Sequence, residues 1–106
     1  MAKTLKRRSY PRLAITFLAH CLSDELTCWT ALVINLSRGG ARFVFRSHSD
    51  PPNLVLIKIH NRSGNTLQRP IREVHVDSAG DYRLVRCAFE IPLTTEEFLL
   101  LVRTQF

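Results

Sequence analysis

A chain of 106 residues is the length of one domain and buries about two-thirds of its unfolded surface on folding, enough for a core without disulfides. Hydrophobic residues make up 45% of the chain, and no apolar run approaches the ~20 residues of a membrane span. The formal charge of +6 is concentrated in residues 1–12, which contain lysines and arginines but no acid. Such a basic arm attracts polyanions, phosphorylated ligands or an anionic membrane face, and is equally compatible with a solvated terminus.

Residues 1–12 have no hydrophobic period, and Pro11 disfavours a helix there. Residues 13–22 then alternate in a way that predicts a strand, with Phe17, Ala19 and Cys21 facing the core. A turn at 23–25 joins this strand to a second strand over 26–36, which completes a hairpin.

A third strand is predicted over 41–45, with both of its phenylalanines, Phe43 and Phe45, pointing inward. A loop over 47–53 contains two prolines and cannot join a sheet. Three more strands follow, and they are predicted over 54–60, 66–76 and 82–89. Pro70 suggests an edge position or a bulge in the fifth strand. Short strands separated by turns are typical of a barrel or a sandwich.

The chain ends in a helix predicted over 94–105. Thr94 is the expected N-cap, and Glu97 three residues later completes a capping box. Phe98, Leu101 and Val102 form an apolar stripe at helical spacing, which should pack on the sheet or close a barrel end.

Catalytic and metal-binding patterns are lacking in the sequence. Cys21, Cys28 and Cys87 are odd in number and have no Cys-x-x-Cys spacing, so buried, reduced thiols in the cytoplasm are expected. The four histidines are scattered, and there is no carboxylate pair, nucleophile elbow or Walker loop. No enzyme activity, metal or cofactor is therefore expected, and no signal peptide either, since no apolar segment follows the basic start.

The segment 35–40, with the sequence NLSRGG, lies between two predicted strands and has the composition of a turn. Asn35 and Ser37 are two residues apart, which puts their side chains on one side of an extended backbone. Gly39 and Gly40 would let a ligand approach the backbone closely, and Gly40 is expected to need freedom in φ. An ordinary Asx or Ser turn without a ligand is the alternative.

An Arg-x-x-x-Arg pair, Arg8 and Arg12, precedes this turn in the basic arm. In this order, Arg8-x3-Arg12 and Asn35-x-Ser37-x2-Gly40 resemble the PilZ family, whose members bind cyclic di-GMP. The resemblance implies a mainly β fold: a six-stranded antiparallel barrel over 13–106 with one C-terminal α-helix and a flexible basic arm over 1–12. Many family members have Asp at the position of Asn35.

By this resemblance, Arg8 and Arg12 grip guanine and phosphate while the arm folds over the barrel. Arginine can stack on a base, fork onto O6/N7 and pair with phosphate. On an extended arm, the two side chains lie on one face, about 13 Å apart. An arginine at the position of Arg7 accompanies an intercalated ligand pair in similar family members, so two cyclic di-GMP molecules per chain are expected.

The turn residues are expected to complete this site. The Asn35 amide can both donate hydrogen bonds to guanine and accept them from it. Ser37 can hydrogen-bond guanine or phosphate. The backbone N–H groups of Gly39 and Gly40 can reach the ligand.

Two further residues are secondary candidates. Arg42 would point away from the core and supplement phosphate binding, and His75 would stack on the nucleotide. A solvated arginine and a surface histidine are the simpler interpretations.

The predicted function is a cyclic di-GMP receptor that orders its arm on binding and signals to an unidentified protein partner. One alternative is a small basic barrel that binds single-stranded nucleic acid, which combines a positive groove with aromatic stacking platforms. The inward phenylalanines do not favour that alternative. A PilZ-like interaction module that ignores nucleotide is the third interpretation.

Overall fold

The computed structural model describes residues 17–24, 27–48, 53–61 and 64–103. The predicted basic arm over 1–12, with Arg7, Arg8 and Arg12, lies outside these ranges. So do the first residues of the predicted first strand, the middle of the proline loop and the last residues of the predicted helix.

Six antiparallel strands form one closed barrel in the order β1-β2-β3-β6-β5-β4. The elements are β1 Phe17–Ser23, β2 Cys28–Leu36, β3 Gly40–Arg46, β4 Leu54–His60, β5 Thr66–Ala79, β6 Tyr82–Phe89 and α1 Thr95–Arg103. Each predicted strand is present, so the mainly β class and the six-stranded barrel with a C-terminal helix are confirmed. The main difference is β5, which continues to Ala79 instead of ending at residue 76.

Alternate residues of the strands fill the barrel interior. Phe17, Ala19 and Cys21 of β1 are buried, as are Phe43 and Phe45 of β3. The predicted inward face of both strands is therefore confirmed. Because successive side chains of a strand point to opposite faces, the intervening residues form rows on the outer wall. Those rows carry the polar chemistry described below.

The middle of β5 is where this strand exchanges one neighbour for another. Residues 66–70 pair with β4, and the pairing with β6 begins at Ile71. Pro70 is the last residue paired with β4, so its missing N–H interrupts no further bond of that ladder. The expectation of an edge position or bulge at Pro70 is wrong: the barrel is closed, and the bulge lies between Glu73 and His75.

The three cysteines are free thiols with different environments. Cys21 and Cys87 are buried, and burial raises the pKa of each thiol to about 12. Cys28 is exposed, so the prediction of three buried thiols is wrong for this residue. Cys28 lies on the outward-facing side of β2 with Thr30 and Leu32, which alternate with the buried Ala31 and Val33.

The C-terminal helix begins with the predicted capping box. The Thr94 backbone N–H donates to Glu97 Oε1 at 2.8 Å, and the Glu97 N–H donates to Thr94 Oγ1 at 3.0 Å. Leu101 and Val102 are buried in the core and Phe98 packs against it, so the apolar stripe is confirmed. Within the described ranges, no helix is long and apolar enough to cross a membrane.

Candidate ligand-binding site

The turn between β2 and β3 is organised around the hydroxyl of Ser37. This oxygen accepts hydrogen bonds from the backbone N–H groups of Gly39 and Gly40, both at 3.2 Å. The Ser37 N–H donates to the Gly40 carbonyl at 2.9 Å. Ser37 is buried and its hydroxyl is engaged inside the turn. Direct contact of this hydroxyl and these N–H groups with a ligand stays a prediction, whereas their role in shaping the turn is evident.

The same turn is fastened to the chain that leads into the helix. The Leu93 N–H donates to the Arg38 carbonyl at 2.8 Å, and Arg38 Nε donates back to the Leu93 carbonyl at 2.7 Å. The Phe89 N–H donates to the Gly39 carbonyl at 2.9 Å. Two backbone bonds and one side-chain bond therefore hold the turn against the end of β6 and the segment that follows it.

Gly40 is required by a close approach to the backbone of β6. A Cβ at this position would lie 2.3 Å from the Cys87 carbonyl oxygen and 3.3 Å from the Ala88 Cα. The expectation that Gly40 needs unusual φ is wrong, since the positive φ values of the described glycines belong to Gly64 and Gly80. The physical requirement is space, because β3 and β6 pair from Gly40 onward.

A β-bulge precedes the turn and changes which residue of β2 faces β3. Val33 pairs with Phe43, but Asn35 pairs with Arg42, so Ile34 is the extra residue. A bulge bends its strand and redirects a side chain. Here it sets Asn35, instead of the aliphatic Ile34, opposite Arg42 in the register of the two strands.

The Asn35 amide oxygen is buried, and nothing in the described chain donates a hydrogen bond to it. Arg42 Nε is likewise buried without an acceptor among the described residues. Buried polar atoms without partners are rare in native proteins and each one calls for an explanation. A ligand that offers an N–H donor to Asn35 and an acceptor to Arg42 would satisfy both atoms.

The pairing of β3 and β6 brings a second arginine into the site, which the sequence analysis missed. Arg42 pairs directly with Arg86, and Arg86 pairs in turn with His75 of β5. The outward position of Arg86 follows from alternation along β6, but its place opposite Arg42 depends on the register of two distant strands. The four side chains of Asn35, Arg42, Arg86 and His75 are hereafter called the wall row.

The wall row is basic and has one acidic neighbour in direct contact. His75 Nε2 and Asp77 Oδ1 are 3.0 Å apart, and both side chains are largely exposed. No carboxylate of the described residues lies within ion-pair distance of Arg42 or Arg86. The row therefore presents positive charge and hydrogen-bond donors, which suit an anionic ligand. The structure thus brings Asn35, Arg42 and His75 together, while the arm arginines fall outside the described residues.

The described residues thus form a closed six-stranded barrel with the basic wall row on its outer surface, beside the turn closed by glycines. The family model of the PilZ domain matches residues 6–104. This chain belongs to the PilZ domain family.

Solved structures of similar fold agree with this assignment. The PilZ domain with c-di-GMP of YcgR from Escherichia coli is 11% identical, with a TM-score of 0.70 over 93% of this chain and 92% of that chain. YcgR in complex with c-di-GMP, from the same organism, is 13% identical, with a TM-score of 0.64 over 92% of this chain and 43% of that one.

The Bacillus subtilis inhibitor of motility, MotI/DgrA, is 15% identical, with a TM-score of 0.70. The alignment covers 93% of this chain and 50% of that protein, so this chain spans half the length of the motility inhibitor. No curated protein gives a significant match to the chain. At these identities the structural likeness establishes the fold alone.

Proposed function

We propose that this protein is a cyclic di-GMP receptor that acts on a partner protein. The observation that carries the proposal is the buried Asn35 amide oxygen, at the position where the PilZ-like motif predicts ligand contact. Among the described residues, neither this oxygen nor the buried Nε of Arg42, which pairs with Asn35 in the sheet, has a hydrogen-bond partner. Guanine offers N–H donors that suit Asn35, and its O6 and N7 acceptors suit arginine. Membership of the PilZ domain family supports the same ligand.

The motif residues have different roles, which follow from the chemistry of their side chains. Arg8 and Arg12 reach the ligand from the N-terminal arm and contact guanine and phosphate, because the guanidinium group can stack, fork and pair with an anion. Asn35, on the barrel wall, forms hydrogen bonds with the edge of the guanine base. Ser37, Gly39 and Gly40 hold the turn that presents Asn35, and their backbone contacts keep it against β6.

The output of the receptor is a change in the arm. Arm closure costs about 1–2 kcal/mol of backbone entropy per ordered residue, which the new charged contacts offset. The closed arm changes the surface offered to the partner protein. Amide exchange across residues 3–12 should therefore slow on ligand binding, by more than across the barrel strands. An arm equally protected in the free protein would contradict this switch.

Calorimetric titration with cyclic di-GMP tests the receptor directly. Arg8→Ala and Arg12→Ala should each weaken binding by an order of magnitude or more, since a hydrogen bond to a charged group contributes roughly 1.5–3 kcal/mol. Lys3→Ala removes the same charge from the same arm outside the motif, and should bind like the wild type. Wild-type affinity in both arginine variants would refute the motif assignment.

The stoichiometry of the same titration tests the role of Arg7. We expect about two ligands per chain, because a stacked ligand pair brings additional phosphate charge that a third arginine compensates. Arg7→Leu should reduce the number toward one. Saturation of the wild type at one ligand would contradict the paired arrangement.

Salt dependence separates this receptor from a nucleic-acid-binding barrel. Binding of a polyphosphate weakens steeply with salt, with a slope set by the number of phosphates neutralised. Cyclic di-GMP, held by base edges and stacking, should show a shallow slope. Tight, steeply salt-dependent binding of random oligonucleotides without cyclic di-GMP binding would instead identify a nucleic-acid-binding protein.

A further inference from the structure

Two β-bulges flank the pair Arg42 and Arg86 on the barrel wall. The bulge of β2 puts Asn35 opposite Arg42, where an uninterrupted register would put Ile34. The bulge of β5 puts His75 opposite Arg86, where an uninterrupted register would put Val74. Both irregularities thus replace an aliphatic neighbour of an arginine by a polar one. Bulges are common beside functional sites for this reason.

The central pair of the wall row is electrostatically unfavourable by itself. Like charges directly opposite on adjacent strands destabilise a sheet. In the described part of the chain, four ion pairs place a carboxylate within 4 Å of a basic side chain, and none of the four involves Arg42 or Arg86. Both guanidinium groups are half-buried, which reduces the screening of their repulsion by water. An anion between them would remove this cost.

Hydrogen-bonding capacity at the same place points to a ligand as well. Arg42 Nε is buried and donates to no acceptor of the described chain. Arginine recognises phosphate through several N–H groups in a fixed fork, and two arginines on neighbouring strands offer two forks about 5 Å apart.

We propose that Arg42 and Arg86 form a clamp for one phosphate group on the barrel wall, with Arg86 a ligand-binding residue outside both sequence motifs. Asn35 and His75 flank the clamp on either side. The wall row is about 14 Å long at ordinary strand spacing. A phosphate at its centre leaves Asn35 and His75 to contact the planar groups attached to that phosphate. Identification of the phosphate as part of cyclic di-GMP rests on the proposed function, whereas the clamp rests on strand register and charge.

The test uses the full chain and two probes, cyclic di-GMP and inorganic pyrophosphate. Arginine Nε–H resonances are followed by NMR during each titration, and affinities are measured by calorimetry. In the wild type, the Arg42 and Arg86 resonances should shift saturably with both probes. Arg86→Gln and Arg42→Gln should each weaken cyclic di-GMP binding by about tenfold or more.

Arg46→Gln is the matched control. Arg46 lies on β3, four residues beyond Arg42 on the same outer face, and its carboxylate partner is Asp81 at 3.8 Å. This variant removes the same charge and should change affinity less than twofold. The melting temperature of Arg86→Gln should equal or exceed that of the wild type, because the substitution relieves a like-charge contact.

The outcomes distinguish the clamp from the receptor. Wild-type binding of cyclic di-GMP by Arg86→Gln would overturn the clamp and leave the receptor intact. Pyrophosphate shifts at both arginines in the wild type and loss of the Arg42 shift in Arg86→Gln, without any cyclic di-GMP binding, would support the clamp and overturn the receptor. Unshifted Arg42 and Arg86 resonances with both probes would overturn the clamp.

Discussion

Two sets of arginines in the barrel use their hydrogen-bond donors differently. Arg69 donates to the Ile91 carbonyl and forms an ion pair with Glu97, and its side chain is only 16% exposed. Arg38 is similarly bonded to the Leu93 carbonyl. These anchoring arginines connect the barrel to the chain before the helix and to the helix itself. Arg42 of the wall row, by contrast, has a buried Nε without an acceptor in the described chain.

The difference shows how one residue type serves stability in one place and binding in another. A guanidinium group that donates its hydrogen bonds to carbonyls and carboxylates has few free N–H groups left for a ligand. A half-buried guanidinium group without such partners costs stability until an anion arrives. Substitution of an anchoring arginine should therefore affect unfolding, and substitution of a binding arginine should affect affinity. The two effects should separate cleanly.

Gly40→Val should have the largest effect and should lower both stability and the affinity for cyclic di-GMP. Gly40 belongs to the turn that positions Asn35, and its backbone pairs with β6 in the barrel. The new side chain would press on the Cys87 carbonyl, and we expect the free energy of unfolding to fall by about 3 kcal/mol. Urea unfolding and cyclic di-GMP titration measure the two losses.

Gly64→Ala is the control for Gly40→Val. Gly64 has φ of 88° and open space around it, so only local strain of about 1 kcal/mol is expected. A Gly40→Val variant that melts and binds like the wild type would show that β3 and β6 do not approach this closely.

Arg69→Ala should lower the free energy of unfolding by about 2 kcal/mol, since a largely buried, charged hydrogen bond is lost and Glu97 loses its ion-pair partner. Its affinity for cyclic di-GMP should stay within twofold of the wild type. Arg86→Gln should show the opposite pattern in the same two measurements. A tenfold loss of affinity in Arg69→Ala without loss of stability would break the distinction between anchoring and binding arginines.

A histidine pair on β1 and β4 gives a further test of this difference, and its expected effect on stability is smaller. His20 Nδ1 and His60 Nε2 are 2.8 Å apart, and His60 Nδ1 lies 3.2 Å from Thr66 Oγ1. These polar groups satisfy one another, whereas Asn35 Oδ1 and Arg42 Nε of the wall row have no partner among the described residues. Burial, and then the charges of His20 and Lys58, lower the pKa of His60 below its ordinary value.

The sign of the pH effect follows from that shift. As pH falls through about 6.5, the unfolded chain takes up a proton at this residue before the folded chain does, so stability decreases. Below the folded pKa, both states are protonated and the loss stops growing. Urea unfolding between pH 7.5 and 5.5 should show this loss, and His60→Gln should reduce it. His48→Gln, at a side chain that is 85% exposed, should retain the wild-type pH slope.

Several features could be predicted from local sequence because they depend on residues close together in the chain. Alternation placed Phe43 and Phe45 in the core, and the Thr94 and Glu97 pair marked the start of the helix. The turn at 35–40 was recognisable from its serine and glycines. In each case the controlling interaction spans only a few residues, so periodicity and turn chemistry are sufficient.

The wall row could not be predicted in this way. Arg42 and Arg86 are 44 positions apart, and their contact depends on a register that closure of all six strands imposes together. Both bulges, which bring Asn35 and His75 beside them, interrupt the alternation on which sequence reasoning relies. The requirement for glycine at position 40 likewise comes from the Cys87 carbonyl of a distant strand. Local sequence specifies which residues can face outward, but the register of the closed barrel decides which of them meet, because every strand has to pair with two neighbours.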